Sequence, residues 1–225
     1  MPPQGPCLNA EAQKCTLASA TLWGSKQHHH LLDQEPAMIV YIHGFNSSPA
    51  SNTYGKLKAL FDDAQALEYP SEGMFADNLA LLCQQVEQIK STSTTPLVFV
   101  GSSLGGFYAS QVAPLFSANG LLINPAIRPA QSLRKFLGQN TYFYSGRQWI
   151  FTEAICNSYQ NFCDQRTAPI ERLVVIGRSD TTLDPNEGRQ YWQQHATIHE
   201  TDDGHSVAAI DAVMLASLNK WLQKA

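Results

Sequence analysis

From residue 38 onward the chain alternates short apolar runs with stretches of helical spacing. The apolar runs are Met38–Ile42, Ala66–Tyr69, Leu97–Val100, Leu121–Ile123 and Leu173–Ile176, followed by a weaker one at Ala196–His199. Three of them are almost wholly apolar and rich in β-branched residues, as strands buried on both faces are. After Phe75 the apolar positions Leu79, Leu82, Cys83, Val86 and Ile89 follow helical spacing. Cys83 falls on the apolar side of that helix, where a small buried thiol fits. Near the C-terminus Val207, Ile210, Met214, Leu218 and Trp221 share one helical face, with Ser206 placed as the N-cap. Strands alternating with helices predict an α/β fold: a mostly parallel sheet with helices on both faces.

Two segments break this rhythm. Residues 1–36 mix Pro, Gln, Ser and His without periodicity and read as an irregular extension ahead of a single domain over 37–225. The run His28-His29-His30 within it suggests a metal, but neighbouring side chains point in different directions and a solvated polar turn is the simpler reading. Residues 126–168 are rich in aromatics and turn formers, including Phe136, Tyr142, Phe143, Tyr144, Trp149 and Phe151. An insertion between two sheet strands is where a lid over an active site sits. The same aromatics would equally serve to plug the edge of the sheet.

Composition narrows the classes of function. With 225 residues and 44% of them hydrophobic, the chain can bury a sizeable core without metals or disulfides. A net charge of -4 and 15% charged residues leave no basic stripe for nucleic acid and no polybasic membrane segment. No run reaches the roughly 18 apolar residues a membrane span needs, and the first residues lack the pattern of a secretory signal. The five cysteines include no Cys-x-x-Cys pair. A reducing cytoplasm is the expected setting, with a surface Cys156–Cys163 bridge left open.

The chemistry gathers on three loops. Gly101-Ser102-Ser103-Leu104-Gly105-Gly106 lies between a buried strand and a helical pattern. A strand-to-helix turn this sharp crowds the backbone, so its flanks need residues with little side chain. It would raise the Ser103 hydroxyl beside a helix N-terminus whose free amides favour developing negative charge. Ser102 is the rival nucleophile, but centring the pattern there removes the flanking glycines. His43-Gly44-Phe45-Asn46 follows the first strand, where such folds supply one oxyanion-hole amide. That reading gives the backbone N–H groups of Phe45 and Leu104 to the oxyanion and leaves His43 to brace the loop. His205, in Asp202-Asp203-Gly204-His205-Ser206, fits the general base in the chain order serine, acid, histidine. His195 and His199 compete from an element that would aim them elsewhere. The acid must follow Ile176, where Asp180 and Asp184 are the candidates. Asp180 is preferred, because Asp184 precedes Pro185 and is explained as a helix cap.

Several of these stretches together resemble one family. Tyr41-Ile42-His43-Gly44-Phe45-Asn46-Ser47-Ser48-Pro49, Val100-Gly101-Ser102-Ser103-Leu104-Gly105-Gly106-Phe107, Ile123-Asn124-Pro125-Ala126-Ile127-Arg128-Pro129 and Leu137-Gly138-Gln139-Asn140 occur in order. They resemble the motifs of the small bacterial YqiA-like esterases, an α/β-hydrolase family also labelled UPF0227. The resemblance covers most of residues 38–222. It implies an α/β-hydrolase acting on carboxylic esters without a cofactor or metal, its triad falling on Ser103, Asp180 and His205. Two departures stand out: the first 36 residues have no counterpart, and Gly-Arg-Ser-Asp replaces a shorter Gly-Asp at the acid loop.

The expected function is therefore a serine esterase or thioesterase that cleaves short- to medium-chain acyl esters of small molecules. An acyltransferase or peptidase would use the same triad, and a binding protein could keep the fold without turnover.

Overall fold

The computed structural model describes residues 37–223. The N-terminal extension expected from the sequence, with its three histidines, lies outside the described residues. The chain runs β1 (Met38–Ile42), α1 (Asn52–Leu60), β2 (Gln65–Leu67), α2 (Phe75–Thr92), β3 (Leu97–Ser102), α3 (Leu104–Leu115) and β4 (Asn119–Ile123). It continues through α4 (Pro129–Ser132), β5 (Gly138–Thr141), β6 (Gln148–Phe151), α5 (Glu153–Ser158), β7 (Arg172–Gly177), α6 (Pro185–Trp192), β8 (Thr197–Thr201) and α7 (Ala212–Gln223).

Six strands form one sheet in the order β2-β1-β3-β4-β7-β8, and every neighbouring pair is parallel. Strand alternation explains the near-continuous apolar runs. Ile39, Tyr41, Val98, Val100, Leu121, Ile123, Leu173 and Val175 point to one face, against Leu57 of α1 and Met214, Leu218 and Trp221 of α7. Their neighbours Val40, Ile42, Phe99, Leu122, Val174 and Ile176 point to the other, against α2, α3 and Trp192 of α6. Both faces are buried, so the middle positions of these strands are apolar, and the polar residues Ser102, Asn119 and Arg172 fall at strand ends.

The strand order decides where a ligand can go. The chain leaves β1 toward β2 on one side, then returns to add β3, β4, β7 and β8 on the other. At such a reversal the loops after neighbouring strands diverge and open a crevice at the carboxyl ends. Here the diverging loops follow β1 and β3.

Of the two caps read from the sequence, Asp184 holds and Ser206 does not. The side chain of Ser51 accepts the Tyr54 N–H (3.3 Å) at α1, and that of Asp184 accepts the Asn186 N–H (2.9 Å) at α6, with Pro185 in the first turn. The last helix starts at Ala212, and Asp211 caps it by accepting from Val213 N (2.9 Å) and Met214 N (3.0 Å). Ser206 lies too far upstream to do so. A carboxylate at the helix start satisfies two free amides and meets the positive end of the dipole, which a hydroxyl does less well. Its other oxygen lies 2.6 Å from His199 Nε2. Val207 is buried in the α7-side core although it precedes the helix.

The aromatic insertion folds as short helical turns around the two-stranded antiparallel hairpin β5–β6. Phe45, in the loop after β1, meets Phe136, Trp149 and Phe151 with ring centroids 5.4, 5.7 and 5.1 Å away. Trp149 and Phe151 are buried, whereas Phe143 at the hairpin tip is 74% exposed. Cys156 is a free, buried thiol whose Sγ contacts the Ala130 carbonyl (3.4 Å), so the Cys156–Cys163 bridge does not form. Among the described residues, no helix is long and apolar enough to cross a membrane.

Candidate active site

Ser103 stands at the turn between β3 and α3 with φ 57° and ψ -121°, a conformation that costs on the order of 1–3 kcal/mol for a non-glycine residue. The surroundings hold it there. Its N–H donates to the Ile123 carbonyl (2.9 Å), and its own carbonyl accepts from Phe107 N (3.2 Å) and Ala126 N (3.0 Å). The turn also needs its glycines: a Cβ on Gly101 would overlap the Gly105 carbonyl, and one on Gly105 would overlap the carbonyls of Ile42 and His43.

His205, on the loop between β8 and α7, places Nε2 2.9 Å from Ser103 Oγ. Its Nδ1 lies 2.8 Å from Asp180 Oδ2. An ionised carboxylate only accepts, so Nδ1 carries the proton and Nε2 presents a lone pair to the serine hydroxyl. Asp180 follows β7, and its carboxylate is almost wholly buried. Its Oδ1 accepts from Thr182 N (2.7 Å) and Leu183 N (3.0 Å). Burial alone would raise its pKa, but the His205 contact and these two amides outweigh burial and hold it below the usual carboxylate range. The structure thus brings Ser103, His205 and Asp180 into one hydrogen-bonded line. It leaves Asp184 capping α6, with its side chain on Asn186 N.

His43 is away from this line. Its ring is buried, stacked on Tyr69 at 4.5 Å, and Nδ1–H donates to the Gly44 carbonyl (2.9 Å). Burial pushes its pKa down to about 4, so the ring is neutral and braces the loop. His199 pairs with Asp211, the residue that caps α7.

The N–H groups of Phe45 and Leu104 have no acceptor among the described residues, while the next amide, Asn46 N, donates to Ser71 Oγ (2.8 Å). Phe45, Asn46, Ser103, Leu104 and His205 all line one cleft of about 740 Å³. Two free amides, a hydroxyl and an imidazole opening on one cleft can stabilise an oxyanion and shuttle a proton.

Two asparagines escaped the sequence reading. Asn46, with φ 56°, uses every polar group it has. Its N–H goes to Ser71 and its carbonyl accepts from Phe143 N (2.9 Å). Its Oδ1 accepts from Trp149 Nε1 (2.8 Å), and its Nδ2 donates to Asn140 Oδ1 (3.0 Å). The loop after β1 is thereby tied to the hairpin. Asn124, with φ 42°, immediately follows β4 and ties two other loops together. Its Oδ1 accepts from Gly177 N (2.7 Å), and its Nδ2 donates to the carbonyls of Gly204 (3.1 Å) and His205 (2.9 Å). The signal in the sequence was an asparagine immediately after a strand, the residue type that tolerates positive φ. Its partners were not visible there. Among the described residues no cluster of three or more His, Cys, Asp or Glu could hold a metal ion.

Comparison with known proteins agrees with this architecture. The model of the "Uncharacterised protein family (UPF0227)" matches residues 38–218. A UPF0227 protein of Shewanella woodyi is 26% identical over 149 residues, 65% of this chain and 78% of that protein. Among solved structures, Est1E from Butyrivibrio proteoclasticus superposes with a TM-score of 0.67 at 13% identity, covering 85% of this chain and 88% of that one. A structure from the metagenome-derived lipolytic enzymes LipS and LipT gives 0.61 at 15% identity, covering 85% and 95%. The fold is that of the α/β-hydrolases.

Proposed function

The chain belongs to the UPF0227 family, and from that premise we propose that it is a serine hydrolase of carboxylic esters or thioesters. The observation that carries the reading is the continuous line Asp180–His205–Ser103, with spacings of 2.8 and 2.9 Å, opening on a cleft beside two unused amides. In this reading His205 Nε2 takes the Ser103 proton as Oγ bonds to the carbonyl carbon of the substrate. The carbonyl oxygen, now negative, accepts from Phe45 N–H and Leu104 N–H, an interaction worth about 3–4 kcal/mol per donor. Protonated His205 gives its proton to the departing alcohol or thiol, leaving an acyl group on Ser103. Water, deprotonated by the same ring, then releases the acid and restores the hydroxyl. Asp180 keeps the proton on Nδ1 throughout and stabilises the imidazolium.

The cleft walls support short to medium acyl chains, since Phe45, Ala126, Leu133, Phe136, Phe143 and Leu183 offer apolar surface around the serine. Est1E, whose structure is also known with ferulic acid bound, and the lipolytic enzymes LipS and LipT share the fold at 12–15% identity. The test is hydrolysis of p-nitrophenyl butyrate by the native chain and by Ser103→Ala. The reading expects the variant to lose at least about a thousandfold in kcat. An unchanged rate would exclude Ser103 as the nucleophile.

A further inference from the structure

Charge in the insertion is almost fully paired. Arg128 meets Glu187 (2.7 Å), Arg134 meets Glu153 (3.2 Å), Arg147 meets Glu72, and Arg166 meets Asp164 (2.5 Å). The remaining cation of the segment, Lys135, has no carboxylate within ion-pair distance among the described residues. Its Nζ donates instead to the Thr182 carbonyl (2.6 Å) and stands 5.4 Å from the centre of the Phe136 ring. Lys135, Phe136 and Thr182 all line the cleft that holds Ser103. The ammonium is therefore fixed at the cleft wall by a carbonyl and an aromatic face, with two of its three N–H bonds left for another acceptor.

The rest of the cleft matches that bias. None of its lining residues is Asp or Glu, and apart from His205 Lys135 is its only basic residue among those described. Ser132, on the same wall, has a buried Oγ with no hydrogen-bond partner among the described residues. An apolar cleft that carries one anchored cation and no anion discriminates in favour of negative ligands.

We propose that the substrate is an ester bearing an anionic group away from the scissile bond, bound by Lys135 at the cleft wall. This deepens the hydrolase reading and rests on it. The chemistry asks only for a compact anion such as a carboxylate or phosphate, on either the acyl or the alcohol side.

Matched esters test the proposal. On the acyl side, p-nitrophenyl monoesters of succinic to suberic acid are compared with neutral p-nitrophenyl esters of the same chain length. On the alcohol side, 4-acetoxybenzoate is compared with its methyl ester. The native protein is expected to prefer the anionic member of at least one pair by about tenfold in kcat/KM at low salt, the size a single partly exposed charge contact supplies. High salt should shrink that preference. The ratio should fall to about one in Lys135→Gln and return in Lys135→Arg. The ratio is the readout, so a loss of folding or of overall rate does not imitate it. No preference in any pair, or a preference that survives Lys135→Gln, overturns the anionic class and leaves Lys135 as a strap between insertion and acid loop. If no ester of either kind is turned over, the hydrolase reading itself falls, and this inference with it.

Discussion

Asn46 is the residue on which the loop after β1 and the hairpin meet. Three of its four bonds go to the hairpin, through Phe143 N, Trp149 Nε1 and Asn140 Oδ1. In the proposed mechanism these bonds set the direction of the neighbouring Phe45 amide. Trp149→Phe removes one donor and keeps an aromatic ring of similar shape. It should lower kcat by about fivefold, the value of a hydrogen bond near 1 kcal/mol, with little change in KM; steady-state kinetics beside a melting curve will show it. Asn124 acts likewise on the other side of the site, joining the loops of Asp180 and His205. Asn124→Ala leaves Gly177 N and two carbonyls without their partner, at a cost of about 2–3 kcal/mol. For a chain of this size that is a fall in Tm of about 4–12 °C. Neither role was legible beforehand, because both depend on contacts across long stretches of chain. Asn46 meets Asn140 94 positions away, and Asn124 meets Gly204 80 positions away. The hydrogen-bonded line Asp180–His205–Ser103 was legible because its members sit in loops that follow strands, in the order that such a fold leads one to expect along the chain.

At the scale of elements, the turn from β3 to α3 has no room for change. Ala at Gly101 or Gly105 puts a Cβ onto backbone carbonyls that cannot withdraw, and either substitution should abolish soluble folded protein in an expression and circular-dichroism assay. Helix α6 offers the opposite case. Asp184→Ala removes a cap worth about 1 kcal/mol and should lower Tm by about 2–4 °C with esterase activity retained, whereas Asp180→Ala should reduce kcat by on the order of 10⁴. Matching losses of activity in the two variants would reverse the assignment of the acid. The strands β1, β3 and β7 could be read from the sequence because burial on both faces leaves their central residues apolar. The start of α7 could not. Ser206 and Asp211 are both good caps, and only the fold, by bringing His199 against Asp211, shows which of them begins the helix.

For the whole molecule, the buried histidine of the β1 loop couples folding to pH. His43 stays neutral in the folded protein until about pH 4, whereas an unfolded histidine charges near 6.5. Between those values the unfolded state binds more protons, so stability is fully present above pH 6.5 and is lost as pH falls toward 4. The difference amounts to about 3 kcal/mol. Chemical denaturation followed from pH 7 to 4 should show this decline, and His43→Gln should flatten it. The carboxylate of Asp180, held below the usual range, loses its contribution only at lower pH.

In the proposed mechanism His205 makes Ser103 a nucleophile. The most direct measurement treats the protein with a fluorophosphonate and locates the adduct by peptide mass spectrometry, in the native chain and in His205→Ala. The expected result is a single phosphonyl adduct on Ser103, formed with loss of fluoride, and a rate of labelling at least a hundredfold slower in His205→Ala. An adduct on another residue, or equal labelling of Ser103 in both proteins, would contradict it.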